Sequence, residues 1–187
     1  MLIPLLHRQA AFPHLVLATK WGTLAQDPQL VLSATSYFLQ VSAPFLSSAA
    51  TRVLNFDSAT AILQEILDVL GIDLDDPAAV IVPEDLPLSD DQWVLVVNLH
   101  LLILGVLRDR LDWEEGLRTC NNACRVLPAA QQGPIWSMKV LCLSRLGKNV
   151  AAAVAKMKNN SAGAQAEMWA LLARNSKVPK TQLESYM

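Results

Sequence analysis

Between Trp93 and Leu107 the chain carries polar side chains only at Asn98 and His100. That run is fifteen residues long, short of the roughly 20 that a bilayer span needs. It is also apolar on every side, so it does not suit a surface helix with one buried stripe. It therefore predicts a helix covered by neighbours on several sides. Ser89-Asp90-Asp91-Gln92 opens it as a capping box, with Ser89 as the N-cap and Gln92 three residues on.

From Ser89 to Lys158 the chain reads as two tandem helical hairpins. Asp112 N-caps a second helix, with Glu115 as its capping partner. Trp113, Gly116, Leu117, Cys120, Ala123, Cys124 and Leu127 fall on one stripe, and Pro128 closes it. The small residues Gly116, Cys120 and Ala123 predict close approach of the two helices of this hairpin. A third helix starts at Gly133-Pro134 and presents Ile135, Trp136, Met138, Val140, Leu141 and Leu143. Gly147 turns the chain into a fourth helix with Val150, Ala151, Val154, Ala155 and Met157. Leu111 and Leu146, the residues that precede the two turns into second helices, lie 35 residues apart. Helix-pair repeats of the tetratricopeptide kind recur at about 34 residues. The expected fold is thus all-α, with antiparallel hairpins stacked as a TPR-like α-solenoid over residues 89–187. Its third hairpin begins near Met168-Trp169, and the second helix of that hairpin begins at Pro179.

Residues 1–71 read as less well defined helices. Asp27-Pro28 is an N-cap followed by a proline at the first helical position. Leu30, Ala34, Tyr37, Phe38 and Val41 recur behind it until Pro44. Phe45 to Phe56 reads as a connector. Asp57 or Ser58 caps the next helix, whose stripe is Ala59, Ile62, Leu63, Ile66, Leu67 and Leu70, with Gly71 as its stop. Residues 72–88 form an acidic loop spaced by Pro77, Pro83 and Pro87, expected to be extended and exposed.

Charge is unevenly placed. The net charge is −2 over 187 residues, but residues 57–91 hold ten acidic side chains and no lysine or arginine. Residues 138–187 hold eight basic and two acidic side chains. Asp73, Asp75, Asp76, Glu84 and Asp85 of the loop, and Lys139, Arg145 and Lys148 after it, are therefore the candidate partner-binding residues. They would act by opposite charge. With 52% apolar and 17% charged residues, much apolar surface is expected to be covered by partners or by further chain.

Catalytic signatures are missing. No serine sits in a nucleophile elbow and no glycine-rich loop suits a phosphate. Cys120 and Cys124 stand four apart on one helix, but a zinc site needs further ligands. His7 and His14 are remote from them. Three cysteines without a pairing framework predict reduced thiols. No enzyme activity, cofactor or metal is expected, and neither nucleic acid nor membrane is an expected partner. A second reading is a soluble TPR-type adaptor that binds peptide tails, with Asn121, Asn122 and Arg125 as a carboxylate clamp.

Several strings carry a family resemblance. They are Val126-Leu127-Pro128, Trp136-Ser137-Met138-Lys139-Val140 and Arg145-Leu146-Gly147-Lys148-Asn149. To these are added Met168-Trp169-Ala170-Leu171-Leu172-Ala173 with Asn175-Ser176, and Gln182-Leu183 with Tyr186. Together they resemble the helical-repeat region of the cilia- and flagella-associated protein 46 family, over roughly the C-terminal two fifths of the chain. The usual tetratricopeptide aromatic before the turn is replaced by Val106-Leu107, so the repeat is degenerate. The resemblance implies a non-enzymatic scaffold on the C1 projection of the axonemal central apparatus in motile cilia and flagella. Its implied partners are other large central-apparatus proteins in a hetero-oligomeric assembly, with calmodulin nearby.

Overall fold

The structure, a computed structural model, describes residues 3–76 and 81–154 together with Ala170. Among the described residues every regular element is helical. The helices are α1 (Ile3–Ala10), α2 (Phe12–Leu24), α3 (Pro28–Ser42), α4 (Ala49–Arg52) and α5 (Phe56–Val69). They continue as α6 (Asp90–Asp109), α7 (Trp113–Val126), α8 (Gly133–Arg145) and α9 (Val150–Val154).

The local starts follow side-chain chemistry. Asp27 Oδ1 accepts from the Gln29 and Leu30 amides at 3.0 and 3.2 Å, with Pro28 at the position that needs no donor. Ser89 Oγ accepts from the Gln92 amide, and the Gln92 side chain returns to the Ser89 amide at 2.9 Å. Asp112 Oδ1 accepts from the Glu115 amide at 3.2 Å. Glu115 does not complete the box, because the Asp112 amide donates to Leu107 and the Glu115 carboxylate pairs with Arg118. α5 departs from expectation: it begins at Phe56, and neither Asp57 nor Ser58 is its cap.

The helix ends repeat one device. After α2, α5, α6 and α8 a residue with positive φ turns the chain: Gln26 (54°), Gly71 (68°), Leu111 (58°) and Gly147 (66°). At each, the next amide reaches back five residues to a helix carbonyl, as from Asp112 to Leu107 (3.0 Å) and from Lys148 to Leu143 (2.9 Å). The turn residue itself reaches back three, which together make a Schellman motif. Asp27, Asp112 and Asn149 then accept amide hydrogens of α3, α7 and α9. The pairs α2/α3, α6/α7 and α8/α9 are thus closed by the same turn.

α6 lies at the centre, with α5 and α7 packed on it as well as α3, α4 and α8. Ten of its side chains, Trp93 to Leu107, are buried, as its all-round apolarity requires. Burial of a large aliphatic side chain is worth about 1.5–3 kcal/mol, so this one helix anchors the fold. By length and composition α6, and the stretch Pro28–Ser47, would also suffice to cross a membrane, but 56% of the α6 window is buried inside the protein. One contiguous core runs from Phe12 to Ile135, and a second cluster joins Leu117, Val140, Cys142, Leu143, Val150 and Val154.

Three expectations are corrected. On α3, Leu30 and Tyr37 face outward, while Val31, Leu32, Ala34, Thr35 and Phe38 are buried. The stripe is rotated because Phe38 joins Phe12 and Phe45 in an aromatic cluster with centroids 5.2 and 5.4 Å from Phe12. The connector 45–56 is itself helical in part, with α4 and short 3-10 turns. The small residues of α7 serve α8 as well as α6: a Cβ on Gly116 would lie 3.1 Å from Cys142 Sγ, while Cys120 and Ala123 belong to the core cluster that holds α6. The third hairpin expected from Met168 onward lies outside the described residues, apart from helical Ala170.

Candidate functional site

The acidic loop leaves α5 through Gly71, whose φ of 68° favours a residue without Cβ. Ile72 comes next and is buried, with its amide on the Leu67 carbonyl at 2.9 Å. Asp73 Oδ1 accepts from the Asp75 amide at 2.8 Å, which tightens the turn. Leu74 packs against the core. Arg125 of α7 then fastens the segment: its guanidinium donates to the Leu74 carbonyl at 3.0 Å and the Asp76 carbonyl at 2.9 Å. The loop is thus pinned at its backbone, and Asp73, Asp75 and Asp76 remain exposed. Glu84 and Asp85 belong to a 3-10 turn, Pro83–Asp85, and Asp85 is exposed.

Asp73 and Asp75 edge a hollow of about 490 Å³ whose other walls include Gln64 and Asp68 of α5 and Asn122 of α7. A smaller hollow of about 140 Å³ shares Gln64, Leu67, Leu74 and Asn122 with it and reaches Phe56, Thr60, His100, Ile103 and Thr119. His100 is buried on α6 with Nδ1 2.9 Å from the Val96 carbonyl. Burial lowers its pKa, a shift that the Val96 carbonyl only partly opposes, so the ring is neutral at pH 7.

The basic candidates lie elsewhere. Lys139 Nζ sits 4.4 Å from the Trp136 ring centroid and the Arg145 guanidinium 5.8 Å from that of Trp113, as cation–π partners. Lys148 is exposed at the α8/α9 turn. Among pairs of described residues the ion pairs are Arg52–Asp109, Arg108–Asp109 and Arg118–Glu115. None of these joins the loop to α8. The structure brings Asp73, Asp75 and Asp68 together at one cleft and leaves Lys139, Arg145 and Lys148 outside it. Arg125, expected in a carboxylate clamp, is instead committed to the loop carbonyls.

The cysteines are free thiols. Cys120 on α7 and Cys142 on α8 share a hydrogen bond, which raises the pKa of Cys120, as burial also does, and lowers that of Cys142, where burial opposes the shift. Among the described residues no group of three or more His, Cys, Asp and Glu side chains is placed to hold a metal ion.

A second exposed surface is apolar and includes none of the candidate residues. Leu17, Trp21 and Leu24 succeed one another at i, i+4 and i+7 on α2, and are 51, 61 and 75% exposed. Its signal in the sequence is that α2 has hardly any polar face.

No family profile matches the chain. Over 91 residues, 48% of its length, it is 29% identical to cilia- and flagella-associated protein 46 of Chlamydomonas reinhardtii. The chain spans about 3% of the length of that relative. The similarity relates it, distantly, to a cilia- and flagella-associated protein.

Proposed function

We propose that this chain is a non-enzymatic scaffold segment of the ciliary or flagellar axoneme, built as a degenerate TPR-like α-solenoid. The observation that carries the reading is the similarity to cilia- and flagella-associated protein 46. Two structural features support it. Three helix pairs are closed by the same Schellman turn with an Asp or Asn cap behind it. The α6–α7, α7–α8 and α6–α8 packings also match those of a helix pair stacked on the next. The finer assignment is the C1 projection of the central apparatus, through contacts with other large central-apparatus proteins.

The test is co-sedimentation of the purified chain with axonemes stripped of their central-apparatus projections by salt. Saturable binding to stripped axonemes, absent from intact ones, is the expected result. Equal partition to both, or to neither, would refute the assignment. The rival reading, an adaptor that clamps acidic peptide tails, needs Arg125 in its clamp. That guanidinium already serves the Leu74 and Asp76 carbonyls.

A further inference from the structure

The two hollows beside the acidic loop form one groove. α5 is one wall and α7 the other, and α6 supplies the floor through His100, Ile103 and Leu107. The lining runs from Phe56 to the Gly71 turn, the whole of α5, or about 20 Å at 1.5 Å per residue. That length accommodates several turns of a helix. The chemistry is divided along it. Leu67 and Leu74 are shared by both hollows and continue the apolar floor. Asp68, Asp73 and Asp75 stand exposed at the mouth.

Among the described residues no lysine or arginine lines either hollow. Glu115, on the far wall, is already paired with Arg118. Arg125 meets the loop through carbonyl oxygens rather than carboxylates. One polar group is sunk into the floor. With Nδ1 of His100 on the Val96 carbonyl, Nε2 is the ring nitrogen left to serve whatever enters.

We infer that this groove docks a basic amphipathic segment of a partner protein. The apolar face of that segment would lie on Leu67, Leu74, Ile103 and Leu107, and its lysines or arginines against Asp68, Asp73 and Asp75. An apolar groove with an acidic mouth selects a helix of that kind and rejects an acidic one. The inference deepens the scaffold reading by naming what one face holds. It is measured on the purified chain, so its failure would leave the axonemal assignment standing.

The test uses the full 187-residue chain and a dye-labelled synthetic peptide with leucines on one helical face and lysines on the other. A counterpart with glutamate for lysine is the control. Fluorescence anisotropy is expected to show saturable binding of the lysine peptide, weakened by salt, and none of the glutamate peptide. Neutralising the mouth with Asp68→Asn, Asp73→Asn and Asp75→Asn together, or obstructing the groove with Thr119→Arg, should each weaken binding about tenfold or more. Circular dichroism confirms that the variants keep their helices. Failure of the lysine peptide to bind, equal binding of both peptides, or binding unchanged by both variants would overturn the inference. Self-association of the chain that Thr119→Arg abolishes would also overturn it, by assigning the groove to a second copy.

Discussion

The Arg125 guanidinium donates to the Leu74 carbonyl at 3.0 Å, tying α7 to the loop after α5 across 51 residues of sequence. A second bond to the Asp76 carbonyl at 2.9 Å makes the contact two-pronged. Arg125→Met keeps the aliphatic stem and removes both donors. The expected loss is about 1–2 kcal/mol in urea unfolding, with faster hydrogen exchange confined to residues 72–76. Unchanged exchange there would show that the loop is held by Ile72 and Leu74 alone.

The turn residues Leu111 and Gly147 share positive φ, 58° and 66°, and differ in what that conformation costs. A leucine there is strained by about 1–2 kcal/mol, partly offset in a glycine variant by a more flexible unfolded chain. Leu111→Gly is therefore expected to stabilise by about 0.5–1 kcal/mol, and Gly147→Ala to destabilise by about 1 kcal/mol. Denaturant midpoints check both signs. Since Leu111 is 68% exposed, little packing is lost with it.

Gly116 and Cys142 set how closely α7 and α8 approach, because a Cβ on Gly116 would lie 3.1 Å from Sγ. Gly116→Ala gains about 1 kcal/mol of helix propensity but crowds the sulfur. In a Cys142→Ala background the crowding is gone, so the same change should be more favourable by about 0.5–1 kcal/mol. A double-mutant cycle from urea unfolding measures that coupling. Zero coupling would mean that the sulfur yields freely.

His100 makes stability depend on pH. Its folded pKa is lowered from 6.5, chiefly by burial, so below that pH the unfolded chain binds a proton that the folded chain does not. Stability is fully present above 6.5 and falls as pH drops toward the folded pKa, by up to about 1.4 kcal/mol per pH unit from this residue. His100→Leu should flatten the fall of urea stability as the pH drops below 6.5. A slope unaltered by the substitution would place the dependence on other groups.

Much of the fold was legible because its starts and stops use short-range chemistry. Asp27-Pro28, the Ser89–Gln92 box, Gly71, Pro128 and Gly147 each act within a few residues, and each appears where expected. Leu111 was legible only through its neighbours, since leucine gives no signal for a left-handed turn. The rotation of α3 escaped because apolar residues lie on both of its sides, and only the Phe12–Phe38–Phe45 cluster decides which side is buried. α4 escaped because its Arg52 pairs with Asp109, 57 residues away. At the candidate site the carboxylates were readable as a run. The groove behind them was not, since it depends on how α5, α6 and α7 meet.

The central claim is that this chain works as a structural part of the axoneme, and its position in the cell tests that most directly. The chain, tagged and expressed in a motile flagellated cell, should remain with detergent-extracted axonemes and give added density at the central apparatus in electron tomograms. Release of all the tagged chain into the detergent-soluble fraction, with no added density on the axoneme, would contradict the account.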